Sequence, residues 1–263
     1  MNLKQVRDVA VPIIGGLLFF LVLLYACMAT ASYNIQWTPG FLWYPIPVLV
    51  LVIVPTLWVQ SRWNIGLTIP PNVPWARVYA FAIAISIATF TVSTLQGSYN
   101  GFVRGGEGRA GDVGPLFVLA NAFVISLGVA ALAEVAFRGI MQTWLQKAIG
   151  MWSAILVVAA INTLAHRWEG LSNRWLGIFV GLTALGYLRS MSGSLVPPLV
   201  AHMASNFLLA TGLWLWGPWD LGAMGVPSLV SFAVLGLIAF AVAIYFARSV
   251  QGHQLTPRST ASN

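Results

Sequence analysis

The sequence predicts an all-α, polytopic membrane protein with about eight transmembrane helices, and three observations carry that expectation. Hydrophobic residues make up 59% of the 263 residues and charged residues only 7%, and the mean hydropathy of +0.83 lies far above that of a soluble domain. The apolar residues fall into eight runs long enough to cross a bilayer, or nearly so. Tryptophans gather where those runs end, as in the aromatic belts at membrane interfaces. Spans and short loops use up the chain, so 1–263 is expected to form a single membrane domain.

The first run, 9–31, follows Lys4 and Arg7, and Ala29-Thr30-Ala31 resembles a cleavage site. Its apolar core is too long for a signal peptide, so an uncleaved helix is expected. Runs at 41–60 and 77–96 follow. The stretch 97–114 is polar and rich in glycine; it lacks the Lys-Ser of a phosphate-binding loop and reads as a mobile connector, a candidate lid. Runs at 115–146, 150–167, 174–190, 193–215 and 226–247 complete the set, and 251–263 is expected to be a disordered tail.

A net charge of +7 raises the question of nucleic acid, but the basic residues are scattered singly and no nucleic-acid partner is expected. Their distribution speaks to topology instead. Eight spans put both termini on one side, with Lys4, Arg7, Arg62, Arg77, Lys147, Arg189, Arg248 and Arg258 there and Arg104, Arg109, Arg167 and Arg174 opposite. That asymmetry predicts cytoplasmic termini in a bacterial inner membrane. The single cysteine, Cys27, excludes an intrachain disulfide.

The run at 115–146 contains Ala-Glu-Val-Ala-Phe-Arg-Gly from Ala133 to Gly139, which places a carboxylate and a guanidinium at membrane depth. Ionisable groups there are functional-site candidates. Glu134 and Arg138 are four apart, so a helix sets them on one face as a pair, and a structural ion pair between helices is the plain alternative. His166 ends the next run, and His202 and Asn206 share a face two runs later. Counted from Lys147, Gly150 and Arg189 at about 1.5 Å per residue, Glu134, His166 and His202 come to similar depths, about 20–24 Å. Three spans thus deliver polar groups to one level, which packing alone does not require. Gly177 and Gly181 form a small-xxx-small pair that lets a neighbouring backbone approach, and Pro197 and Pro198 should start or kink the helix of His202.

Together these residues resemble the CAAX prenyl endopeptidase and bacteriocin-processing (Abi) family of intramembrane proteases, whose pattern is Glu-Glu-x-x-x-Arg, a histidine ending the next apolar run, and a later His-x-x-x-Asn. The likeness covers about 115–215, matching from Glu134 through Arg138 and Gly139, at His166, and at His202 and Asn206. It implies catalytic roles for Glu134, Arg138, His166, His202 and Asn206: a carboxylate and the first histidine activate water, and the later His and Asn stabilise the oxyanion. The first glutamate of the pattern, however, is Ala133 here, and alanine neither takes a proton nor binds a metal.

The expected function is therefore an intramembrane endopeptidase, weak or inactive, that acts on a membrane-associated protein or peptide. The alternative is a catalytically dead relative serving as a binding, scaffold or assembly subunit of a membrane complex. A transporter fits less well, because no repeated pair of interrupted helices is visible. No cofactor is expected. Zinc is the one metal to weigh, with Glu134, His166 and His202 as ligands, but compact signatures such as His-Glu-x-x-His are missing.

Overall fold

The computed structural model describes residues 3–37, 45–69, 73–99, 103–104, 115–166, 174–216, 219–220 and 225–254. The helices are α1 (Leu3–Trp37), α2 (Pro45–Trp63), α3 (Trp75–Tyr99), α4 (Pro115–Ala133), α5 (Thr143–Ile149), α6 (Met151–Ala165), α7 (Trp175–Ser192), α8 (Val196–Trp216) and α9 (Val226–Gln254). A π-helical segment, Glu134–Gln142, joins α4 to α5 without a break. The rods follow the eight predicted runs. Among the described residues four stretches are long and apolar enough to cross a membrane: Lys4–Ala26, Trp75–Gln96, Ala122–Ile149 and Val226–Val250. The only pairing of extended chain among the described residues is an antiparallel bridge of β1 (Val103–Arg104) with β2 (Trp219–Asp220).

Local chemistry sets several boundaries. Gly150, at φ 81°, ends α5, and Gly193, left-handed at φ 64°, ends α7 with its N–H on the Arg189 carbonyl. Pro197 and Pro198 occupy the first turn of α8, where no intrahelical N–H is lost. The helix ends alternate. Arg77 at the start of α3 donates to the Ser249 carbonyl near the end of α9 (2.9 Å), while Gln96 near the end of α3 accepts the N–H of Leu176 at the start of α7 (2.9 Å).

Helix association in lipid relies on close packing more than on burial of apolar surface. The face of α9 toward α3 accordingly carries Ala239, Ala243 and Ala247, all buried, while Val230, Val234, Leu237, Ile238 and Tyr245 face outward. At the α3–α7 crossing the backbones nearly touch. A Cβ at Gly177 would sit 2.7 Å from the Thr89 carbonyl and overlap the Ser93 hydroxyl, and one at Gly181 would sit 2.7 Å from Thr89 Oγ1. A second cluster joins α1 to the π segment, α5 and α6 through Phe20, Leu23, Ala133, Phe137, Leu145 and Val158. Phe20 and Phe137 pack with tilted rings, 5.0 Å between centroids.

Candidate active site

Every residue of the π segment is buried. Each of its turns closes through an i to i+5 hydrogen bond, a geometry that appears mostly as local insertions near functional sites. Glu134 and Arg138, both fully buried, form an ion pair within it, with Nη1 3.1 Å from Oε1. The Arg138 Nη2 donates to the Leu182 carbonyl of α7 at 2.9 Å. The same Oε1 of Glu134 lies 2.7 Å from Nδ1 of His202 on α8. The Glu134–Arg138 pair therefore ties three elements together: the π segment, α7 and α8. Glu134 Oε2 and Arg138 Nε have no hydrogen-bond partner among the described residues.

The consequence for His202 is chemical. With Nδ1–H given to a fixed carboxylate, the ring is oriented and Nε2 is the atom left for a ligand. His202 lines a cavity of about 170 Å³ enclosed by α3, α7, α8 and the end of α6. His166 and Asn206 also line it, as do Ser86, Ser93 and Arg174. His202, Ser205 and Asn206 reach the wall because they lie three and four apart on α8. The π-helical pair does not belong to the wall. Glu134 and Arg138 are not among its lining residues, and the carboxylate contacts the lining residue His202.

His166 caps α6, and its Nδ1 lies 2.8 Å from the Asn162 carbonyl one turn earlier. That contact fixes Nδ1 as the donor and leaves Nε2 as the basic atom. No described carboxylate orients this ring. Ala133, 3% exposed, belongs to the apolar cluster with Phe20 and Phe137, so Ala133 and Glu134 face different neighbours. Asn162 is fully buried, with neither amide atom hydrogen-bonded among the described residues.

Two features escaped the sequence. Arg189, counted there among the residues of the aqueous boundary, is 9% exposed. Its Nη2 donates to the Ile65 carbonyl (3.1 Å) and to Thr143 Oγ1 (3.3 Å), so it fastens the loop after α2 to α5 and α7. The depth of His202 reckoned from Arg189 was thus counted from a buried residue. Gln142, also fully buried, donates to the Gly186 carbonyl at 2.8 Å. It stands four residues beyond Arg138, a spacing that could have marked it as part of the same face. The Glu169 side chain, most of the 97–114 connector and the end of the tail lie outside the described residues.

Among the described residues no group of three His, Cys, Asp or Glu side chains is arranged to hold a metal ion. Glu134 and His202 are engaged with each other, and the His166 Nδ1 is on the Asn162 carbonyl of its own helix.

Compared with known proteins, residues 115–208 match the family model described as Rce1-like, type II CAAX prenyl endopeptidase Rce1-like. The matched stretch runs from the start of α4 into α8 and contains Glu134, Arg138, His166, His202 and Asn206. No curated protein and no solved structure matches the chain. Over this stretch the chain is similar to that family, and its four long apolar helices suggest an integral membrane protein.

Proposed function

We propose that this protein holds the end of a membrane-associated protein or peptide in the α3–α6–α7–α8 cavity and acts on it as a slow intramembrane endopeptidase. The observation that carries the reading is the contact of Glu134 with His202 Nδ1, which orients the ring beside Asn206 so that Nε2, once it carries a proton, donates into the cavity. A peptide carbonyl oxygen placed between His202 Nε2–H and the Asn206 amide would gain hydrogen bonds as it becomes an oxyanion. His166 Nε2 would take a proton from water while the water oxygen attacks the carbonyl carbon. The same proton then passes to the leaving amine as the C–N bond breaks.

This base lacks the carboxylate that would orient it and stabilise its protonated form, because position 133 is alanine. General-base assistance contributes about a hundredfold to ten-thousandfold in rate, and much of it is forfeited here. The apolar surroundings of Ala133 favour a second reading, a binding subunit that retains its partner uncut.

Mass spectrometry of partners that copurify with the chain and with its His166→Ala variant separates the two. Slow trimming by the chain that disappears in His166→Ala supports the endopeptidase. An intact, stoichiometric partner in both supports the binding subunit, and trimming that survives His166→Ala refutes His166 as the base.

A further inference from the structure

Two membrane-length stretches meet at one boundary, where Lys4–Ala26 begins on α1 and Ala122–Ile149 ends on α5. Between them lies a groove of about 450 Å³, lined from α1 by Arg7, Asp8 and Val11 and from α5 by Trp144 and Lys147. It shares no lining residue with the cavity of His166 and His202.

The chemistry changes along α1. At the helix start, Arg7 and Lys147 set two cations against the single carboxylate of Asp8, so the lining carries a net positive charge. Asp8 Oδ1 meets the Nε–Nη2 edge of Arg7 at 3.4 and 3.3 Å, one edge of a group with five N–H donors. That ion pair is open to solvent and therefore weak, with the two side chains 68% and 42% exposed. Lys147 Nζ stands 5.5 Å from the centre of the Trp144 ring. A part-exposed tryptophan beside a lysine near the end of a span is the chemistry of the lipid headgroup level.

From Val11 onward the outward face of α1 is apolar. Val11, Ile14, Leu18 and Val22 are 56–62% exposed, and spacings of three and four put them on one stripe. Val9, Ile13, Phe20 and Leu23 pack inward instead. From Val11 to Val22 the helix rises about 16 Å, the depth of one leaflet, which is half of a hydrocarbon core of about 30 Å.

We propose that this groove binds an anionic phospholipid, with its phosphate between Arg7 and Lys147 and an acyl chain along Val11, Ile14, Leu18 and Val22. Charge complementarity sets the choice of headgroup. Phosphatidylglycerol brings only negative charge to a lining that is net positive, whereas phosphatidylcholine adds a cation. The bound lipid joins α1 to α5.

The test offers the full chain equal amounts of phosphatidylglycerol and phosphatidylcholine in detergent micelles and counts the retained lipids by native mass spectrometry. Phosphatidylglycerol should be retained about tenfold in preference, between the effects of one and of two basic residues at an anionic surface. Arg7→Gln combined with Lys147→Gln should abolish the preference; both side chains are exposed, so the fold is kept. Arg62→Gln, which removes a cation in the last turn of α2 outside the groove, should leave it intact. Equal retention of the two lipids by the full chain overturns the proposal. So does a preference that survives the double variant, or one that Arg62→Gln weakens as much. Displacement of phosphatidylglycerol by an equal concentration of sn-glycerol 3-phosphate overturns it in favour of a free phosphate.

Discussion

Replacing Arg138 with leucine removes the guanidinium paired with Glu134 and leaves a fully buried carboxylate with His202 as its remaining described side-chain partner. Taking one partner from a buried ion pair costs about 3–5 kcal/mol, because the other charge stays desolvated. The variant also vacates the Leu182 carbonyl, a further loss of roughly 1 kcal/mol for a typical hydrogen bond. Protonation of Glu134 returns part of this, so a net destabilisation of about 3 kcal/mol is expected for Arg138→Leu. Glu134→Gln removes the charge but keeps an oxygen acceptor for both Arg138 and His202, and about 1–2 kcal/mol is expected. The double variant should then cost less than the two single changes together. Reversible unfolding of the four proteins in mixed detergent micelles, analysed as a double-mutant cycle, supplies the coupling energy. Equal costs for both single variants with strict additivity in the double would show that the pair is uncoupled, and the assignment of Arg138 as the support of Glu134 would fail.

Gly177→Ala forces a Cβ to within 2.7 Å of the Thr89 carbonyl, a backbone atom that cannot swing away. It should destabilise by about 1–3 kcal/mol, as overpacking does, and a melting temperature in detergent equal to that of the parent would refute the tight α3–α7 crossing. Ala133→Glu brings a carboxylate into the cluster of Phe20 and Phe137, which also packs against Ala165, the neighbour of His166. Stability should fall by about 1–3 kcal/mol for burying a polar group, while trimming of a bound partner should rise. A fall in stability without any rise in trimming would contradict His166 as the base that lacks a carboxylate.

The helices were legible because apolar run length, Gly150 and Gly193 as stops, and Pro197 and Pro198 as a start all act locally. The pairing of Glu134 with Arg138 was legible too, since a separation of four puts two residues near one face in an α- or π-helical winding. The π geometry was not, because an i to i+5 turn preserves that neighbourhood and leaves no mark in the spacing. Nor could the burial of Arg189 be read. Arginine near the end of a span ordinarily snorkels to water, and here the acceptor that keeps it inside is the Ile65 carbonyl, 124 residues away along the chain. The separation of Glu134 from the cavity wall depends on how α8 packs against α4, which no single run of sequence records. Matching depths indicated that His166, His202 and Asn206 could meet, but not that Glu134 would act through the His202 ring.

The most direct measurement is a structure of the protein with a peptide ketone whose hydrated carbonyl imitates the tetrahedral intermediate. The account predicts that ligand in the α3–α6–α7–α8 cavity, with one oxygen about 2.7–3.1 Å from both His202 Nε2 and the Asn206 amide and His202 Nδ1 still on Glu134. A ketone seated instead in the apolar groove lined by Val92, Trp175 and Phe240, or a carbonyl directed away from His202, would contradict it.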